Sequence, residues 1–220
     1  MANFSATKNV SLIRLVRALL KREAEQTQLL ALRSQLDPHF LFNTLNAIAE
    51  WCREDGIVAE RAVLQLAAIL RIILEGVKTT TWPLAQEIDL IETLFSLHRL
   101  RDPQLFELNI NITDVCYKIL IPPLILLPLA ENAVKHGPHS GHIGKIYLIA
   151  NCDESELVLT IINPGTYLGP RLGSVGLPHL KRRLDIIYGG KALFNIAAQD
   201  SQTHAVLHLP INGPINGELS

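Results

Sequence analysis

Residues 36–46, LDPHFLFNTLN, place one histidine and two asparagines inside an apolar run that is otherwise typical of a packed helix. At ~100° per residue, the side chains of His39, Asn43 and Asn46 fall within one arc of roughly 60°. Apolar residues flank this arc on one side, so the imidazole is predicted at the margin of a broad apolar face. The pattern fits either a buried, hydrogen-bonded histidine–asparagine pair or a reactive site, and the stretch by itself leaves both open.

The sequence around this stretch predicts a helical hairpin. Leucines recur at spacings of three and four between about residues 10 and 50, and Pro38 is predicted to kink that helix. A second helix is expected over roughly 57–78, after the short link CREDG, so that the two helices pack antiparallel. Because a hairpin alone buries little apolar surface, we expect two copies to dimerise into a four-helix bundle.

A mixed α/β region is predicted after the hairpin. Pro83 is expected to open a third helix that ends at about Arg101. FELNINIT and YKILI then read as strands, and PPLILLPLAENAVKHG reads as a helix that ends at Gly137. Two more strands, a glycine-rich loop, a helix and two final strands complete the predicted order.

Composition and charge exclude several classes of protein. The 220 residues are 48% hydrophobic and 19% charged with a net charge of -1, which is globular and offers no basic surface for nucleic acid. The three cysteines form no CxxC pair, so we expect a reducing, cytoplasmic location. No apolar run reaches the ~18 residues of a membrane span, so no membrane segment is expected in this chain.

Three motifs in one order carry a resemblance to a known family. They are LRSQLDPHFLFNTLNAI (32–48), IPPLILLPLAENAVKHG (121–137) and VGLPHLKRRLDIIYGG (175–190). Together they resemble the LytS-like family of sensor histidine kinases, from about Leu29 to Pro210. The resemblance implies an α+β fold: a helical hairpin that dimerises into a four-helix bundle, followed by a Bergerat-type, GHKL-class α/β sandwich with a mixed sheet.

The resemblance also implies a division of the chain into functional segments. The expected order is an N-terminal signalling helix or coiled coil (1–28), a dimerisation and histidine phosphotransfer hairpin (29–80), a connecting helix (81–102), an ATP-binding catalytic domain (103–212) and a loose tail (213–220).

For the first motif, the resemblance implies that His39 is phosphorylated on a ring nitrogen. In-line attack on a γ-phosphoryl group needs a neutral, rigidly presented imidazole, and Asn43 would orient the ring or hold a water molecule. Many other histidine kinases place a carboxylate directly after the histidine, where this chain has Phe40. The proton acceptor therefore stays open between Asp37 and Glu131.

The second motif resembles the N-box of GHKL-type ATPases. Glu131 and Lys135 form one helical stripe, and Asn132 and His136 form the adjacent one. By resemblance, Asn132 would coordinate Mg²⁺, Glu131 would orient water or accept a proton, and Lys135 would reach the phosphates, with His136 in the same cleft. An ordinary helix end with a Glu–Lys pair and a cap at Gly137 explains these residues except Asn132.

The segment IINPGTYLGPRLGSVGL (161–177) occupies the place of the family's D-box and lid but departs from both. The usual aspartate is Asn163, whose carbonyl still accepts a bond from the adenine amino group, although without charge. Gly165 would allow close approach to the base. The expected lid residues are Gly173, Ser174, Gly176 and Leu177, with serine where the middle glycine of the family stands. They would place the phosphates of the nucleotide at the N-terminus of the next helix.

Other features have less specific interpretations. The family's final Gly-Thr appears here as Gln202-Thr203. The H-x2-H-x2-H run within HGPHSGH suggests zinc, but it lacks a fourth ligand, and in this family the segment is a variable loop. Lys181, Arg182 and Arg183 are expected on a solvated helix face beside the phosphate loop.

We therefore predict a cytoplasmic core of a two-component sensor histidine kinase with ATP and Mg as cofactors. His39 would receive phosphate from Mg-ATP and pass it to an aspartate of a response regulator. The predicted partners are a second copy, the receiver domain, and an upstream sensor domain or chain. One alternative is a catalytically weak pseudokinase that acts as a phosphotransfer or scaffolding module. Another is an anti-sigma-factor-type serine kinase, against which DPHFLFN argues.

Overall fold

The computed structural model of the chain describes residues 38–100, 102–169 and 176–212, and for residues 38–40 it describes the backbone alone. Several predictions fall outside the described residues and stay predictions: the N-terminal coiled coil (1–28), Asp37, Arg101, the lid residues Gly173 and Ser174, and the tail (213–220).

Two helices, α1 (Pro38–Glu54) and α2 (Gly56–Gly76), pack against each other and form the predicted hairpin. The link is shorter than the five residues expected, because α1 continues through Glu54 and leaves only Asp55 between the helices. The carboxylate of Asp55 caps α2 by accepting hydrogen bonds from the backbone N–H groups of Ile57 (3.0 Å) and Val58 (3.1 Å). The cap satisfies two of the donors that every helix N-terminus leaves open.

A third helix, α3 (Leu84–His98), follows a two-residue strand, β1 (Trp82–Pro83). Pro83 precedes the first helical residue, as predicted, but the helix ends three residues earlier than expected. The run YKILI is mostly not a strand: Cys116–Lys118 form a short 3-10 turn, and only β3 (Leu120–Ile121) pairs, antiparallel, with β1.

In the described part of the chain, five further strands form one sheet in the order β2-β4-β5-β7-β6. The β2–β4 pair is parallel and the other pairs are antiparallel, which confirms the predicted mixed sheet of an α+β protein. The strands are β2 (Glu107–Ile112), β4 (Lys145–Cys152), β5 (Glu156–Pro164), β6 (Leu193–Gln199) and β7 (Gln202–Pro210).

Helices α4 (Leu127–His136) and α5 (Gly176–Tyr188) pack on the sheet side that carries the core. Alternate residues of β4, β5 and β7 are buried, as strand geometry requires of a sheet with one covered face. Helix α4 contacts β5, and it also contacts α3 and α5. Helix α4 is therefore held in place by its contacts with β5 and with helices α3 and α5.

No helix among the described residues is long enough and apolar enough to span a bilayer.

Candidate functional site

His39 is the second residue of α1, and Asn43 lies one turn further along the same helix. The Asn43 side chain is exposed in the single chain, so it does not form the core of a buried pair within one protomer. Phe42 and Leu45 are also exposed, at 67% and 53%. The helix that carries the histidine therefore presents both polar and large apolar side chains to the outside of the chain.

Helix α4 carries four predicted site residues. Its inner face is anchored by buried apolar residues, whereas Glu131, Asn132 and His136 are half-buried and Lys135 is exposed. These four side chains therefore lie at the border of the core, on the part of the helix that a ligand can reach. Their oxygen and nitrogen groups suit a hard cation and phosphate oxygens.

The end of α4 lies very close to the end of β5, and a glycine permits this approach. A Cβ atom at Gly137 would lie 2.6 Å from the carbonyl oxygen of Ala133 and 3.1 Å from that of Pro164. It would also lie 3.2 Å from Nδ2 of Asn163. The glycine after the N-box motif is thus needed for the contact with β5 as well as for the helix end.

Asn163 is 2% exposed, and its Nδ2 donates a 2.8 Å hydrogen bond to the carbonyl of Pro164. The bond engages the amide nitrogen as a donor and leaves the carboxamide oxygen as the acceptor atom of the side chain. Thr203, 4% exposed, faces Asn163 across the β5–β7 pair. Its hydroxyl donates to the carbonyl of Gly165 at 2.7 Å.

Gly165 adopts φ +98° and lies where three segments meet. Its N–H donates to the carbonyl of Ser201 at 3.1 Å. A Cβ atom here would lie 2.6 Å from Cδ2 of His142 and 3.1 Å from the carbonyl oxygen of His136. The structure thus brings the predicted residues His136, Asn163 and Gly165 together at one end of α4. It adds His142 and Thr203, which the sequence analysis did not assign to this site.

Gly176 and Leu177 lie at the opposite end of α4. A Cβ atom at Gly176 would lie 3.8 Å from the Cβ of Pro128, in the first turn of α4, and Leu177 packs against the core. A ten-residue helix is about 15 Å long. The described site residues outside α1 therefore follow the whole length of α4.

Two histidines of the loop after α4 make separate contacts: His142 lies against Gly165, and His139 lies against His98. His139 packs edge to face on His98, at the end of α3, with ring centroids 5.0 Å apart. Burial lowers the pKa of His98 to about 4, with His139 contributing, and burial also lowers the pKa of His139. No group of three or more His, Cys, Asp or Glu residues within the described ranges is arranged to hold a metal ion, so the zinc hypothesis gains no support.

The sequence analysis missed Glu87, which is fully buried in the first turn of α3. Its carboxylate accepts hydrogen bonds from Nε1 of Trp82 (2.9 Å) and from the backbone N–H groups of Leu124 (2.7 Å) and Leu126 (2.8 Å). Burial raises the pKa of Glu87 to about 7, while these donors and the charge of Arg183 oppose the rise. The signal was available, because Glu87 lies three residues after Leu84 on the apolar stripe of its helix.

Arg183 corrects the expected solvated basic face of α5. The side chain is half-buried; burial lowers its pKa, and the charge of Glu87 acts in the opposite direction. Lys181 and Arg182, its neighbours in the sequence, are exposed as predicted. One of the three basic residues therefore belongs to the interior of the protein, because helical geometry turns it towards α3.

The chain is similar to known proteins in both sequence and fold. Residues 27–106 match the histidine kinase family. A solved histidine kinase domain, from the Erythrobacter litoralis EL346 blue-light activated histidine kinase, has a TM-score of 0.52 and 14% sequence identity, and the likeness covers 87% of this chain and 95% of that one. The fold is that of a histidine kinase domain.

Two curated sensor proteins are similar in sequence to most of the chain. The sensor protein LytS of Staphylococcus haemolyticus is 30% identical over 201 residues, which is 84% of this chain and 34% of that protein. The sensor protein LytS of Bacillus subtilis is 28% identical over 210 residues, 88% of this chain and 35% of that protein. The resemblance to LytS-like histidine kinases that the three motifs predicted is thus confirmed, and the chain spans about a third of the length of these relatives.

Proposed function

We propose that the chain is the Mg-ATP-dependent phosphotransfer core of a cytoplasmic two-component sensor kinase. In this proposal, residues 29–80 form the dimerisation and phosphotransfer hairpin, 81–102 connect it, and 103–212 bind ATP. His39 receives the γ-phosphoryl group and passes it to an aspartate on the receiver domain of a response regulator. An upstream sensor domain or chain sets the activity through residues 1–28.

The observation that carries the proposal is the convergence of Asn163, Gly165 and Thr203 on the end of the N-box helix α4. The Nδ2 of Asn163 donates to Pro164, so the carboxamide oxygen is the atom of this side chain that suits an adenine amino group as an acceptor. Along α4, the amide oxygen of Asn132 and the carboxylate of Glu131 suit Mg²⁺, which takes oxygen ligands. The residues present therefore fit Mg-ATP.

Each remaining site residue has a role in this proposal. Lys135 reaches the phosphate oxygens from the exposed side of α4, and His136 lines the same cleft. The lid residues close over the phosphates near the start of α5, where Gly176 and Leu177 lie; they include Gly173 and Ser174. Bound Mg-ATP supplies the phosphoryl group and a good leaving group. The chain's own residues hold the nucleotide and bring the histidine into line.

His39 acts as the nucleophile. A lone pair on its ring nitrogen forms the new N–P bond while the bond between the γ-phosphorus and the bridging oxygen breaks, and ADP leaves. Asn43, one turn away, orients the imidazole. The ring must lose a proton, and Asp37 and Glu131 both remain candidates for accepting it.

Exposed apolar residues of the hairpin support a homodimer. They are Phe42, Leu45, Ile57, Val63 and Leu64, each at least 50% exposed in the single chain. Large apolar side chains exposed together on one helical hairpin are typical of an interaction surface. Pairing two hairpins buries it in a four-helix bundle, with His39 on helix α1 of each protomer.

Labelling with γ-³²P-ATP and Mg²⁺ tests the proposal. The wild-type chain should incorporate label that is lost in acid and kept in base, since phosphohistidine is acid-labile. His39→Gln should abolish it. His208→Gln is the matched control, because His208 lies in β7, five residues beyond Thr203, and pairs with Glu156; it should label normally.

Other labelling outcomes would contradict the proposal in distinct ways. Label that survives acid would indicate a phosphoserine product and the serine-kinase alternative. Absence of label in the wild type, together with absence of Mg-ATP binding, would instead favour the pseudokinase alternative, with Asn163 and Ser174 as the residues responsible.

A further inference from the structure

Glu87 is a buried carboxylate outside the predicted site, and it accepts hydrogen bonds from the backbone that leads into helix α4. It belongs to α3, the helix between the hairpin and the sheet region. A buried carboxylate is costly unless its oxygens receive hydrogen bonds. Here Oε2 accepts from Trp82 and Leu124, and Oε1 accepts from Leu126.

Two of these three donors are backbone N–H groups at the start of the N-box helix. Leu126 occupies the cap position of α4, and no side chain of the cap residue itself makes a capping hydrogen bond. Glu87 therefore caps α4 from another helix, and above its pKa of about 7 its negative charge lies at the positive end of that helix's dipole.

The backbone before α4 also depends on this carboxylate. Leu124 has φ +62°, a left-handed conformation that a leucine rarely adopts. Its N–H donates to Glu87 at 2.7 Å. Strained residues persist only where their surroundings hold them, and here the buried carboxylate and the packing of the Leu124 side chain in the core both restrain the residue.

Glu87 acts on the second helix of the site as well. The half-buried guanidinium of Arg183, on α5, interacts electrostatically with it. The first residue of α5, Gly176, lies against Pro128 in the first turn of α4. One carboxylate on α3 thus caps the start of α4 and interacts with Arg183 in the middle of α5, and these two helices carry the described N-box and lid residues.

We propose that Glu87 is a positioning residue of the nucleotide site, which fixes the start of α4 relative to α3 and α5 through the N–H groups of Leu124 and Leu126. The inference rests on the proposed function for the identity of the ligand, Mg-ATP. The positioning role itself concerns residues of this chain and is measurable without nucleotide.

The test compares Glu87→Gln with Glu92→Gln in the full 220-residue chain. Glutamine keeps the shape but turns an N–H₂ group towards N–H donors, whereas Glu92 is exposed on the same helix. Amide hydrogen exchange followed by mass spectrometry should show faster exchange over residues 124–130 in Glu87→Gln, with β5 and β7 unchanged. Mg-ATP affinity, measured by calorimetry, should fall by about tenfold or more, as expected for hydrogen bonds to a charged group.

The control variant Glu92→Gln should match wild type in both measurements. A folded Glu87→Gln chain with wild-type exchange over 124–130 would overturn the positioning role, as would a uniform loss of protection in every element. If the wild type binds no Mg-ATP while exchange still changes locally, the proposed function fails and the positioning role stands. Wild-type Mg-ATP binding with unchanged affinity in Glu87→Gln would overturn the role of Glu87 in the nucleotide site.

A folding defect is handled by Glu87→Asp, which keeps the charge but withdraws it by one methylene from the donors. The expected result is the same local increase in exchange over residues 124–130, with weaker Mg-ATP binding. If neither variant folds, Glu87 is required for folding itself, and a positioning role in the folded protein is overturned.

Discussion

At position 165 of the candidate site, backbone conformation and close packing both favour glycine. Its positive φ is a conformation that L side chains adopt at a cost, and its missing side chain leaves room for the ring of His142. Both constraints act on the same turn that joins α4, β5 and β7. A substitution here should therefore affect the fold and the site together.

We expect Gly165→Ala to lower the free energy of unfolding by at least about 2 kcal/mol, from left-handed strain plus the contact with His142. The matched control is Gly190→Ala: Gly190 has φ +79°, but a Cβ atom there would meet no atom within 4 Å. The control should cost only about 1 kcal/mol. Urea unfolding measures both, and equal losses in the two variants would contradict the steric part of the argument.

Sequence reasoning at the level of residues assigned Asn163 and Gly165 to one site through the family resemblance. The structure places both residues near His136, and their role in binding stays a prediction. Sequence reasoning failed for Glu87 and Arg183, because charged residues are assigned to the surface by default. Only the three-dimensional structure shows the donors that make burial of that carboxylate tolerable. The catalytic assignments to His39 and Asn43 stay predictions.

At the level of elements, the contact between His98 and His139 joins the end of α3 to the loop after α4. Burial lowers the pKa of His98 from 6.5 to about 4. Since the unfolded chain binds a proton below about pH 6.5 and the folded chain does not, the unfolded state takes up more protons between these values. This contact should therefore lose stability as pH falls from about 6.5 towards 4.

The variant His98→Phe keeps an aromatic ring at this contact and removes the titration. Between pH 7 and pH 5 the wild type should lose about 2 kcal/mol more of its unfolding free energy than the variant does. Urea unfolding at the two pH values measures the difference, in which the other titrating groups cancel. Equal losses in both chains would show that His98 is protonated as readily in the folded state as in the unfolded one.

Most elements, though not all their bounds, were predictable from periodicity and turn residues. The mixed sheet and the start of α3 at Pro83 agree with the prediction. YKILI was wrong as a full strand, because a hydrogen-bonded turn at Cys116–Lys118 competes with extended backbone where few strand partners are available. CREDG was wrong as a loop, because a single aspartate suffices to end one helix and cap the next.

On the scale of the whole molecule, the hairpin carries five of the eleven large apolar side chains that are exposed among the described residues. We expect a dimer in analytical ultracentrifugation at micromolar concentration. Phe42→Asp should shift the protein to monomers, since a charge placed in an apolar interface must be desolvated without a partner.

The matched control for the dimer is Ile143→Asp. Ile143 is 90% exposed and lies in the loop before β4, so this variant should sediment like wild type. A wild-type chain that sediments with monomer mass under these conditions would contradict the four-helix bundle, while leaving the mixed sheet and the proposed nucleotide site unaffected.

The single residue between α1 and α2 bears on how a signal can travel in such a dimer. With only Asp55 as a link, there is no spare chain length to absorb a rotation of α1 about its axis. Any such rotation must be transmitted to α2, and from α2 to α3 through the hydrogen bond between Gln65 and Ser96. In the proposed kinase dimer, the length of this junction would therefore be a simple design variable for altering which protomer's nucleotide faces which histidine.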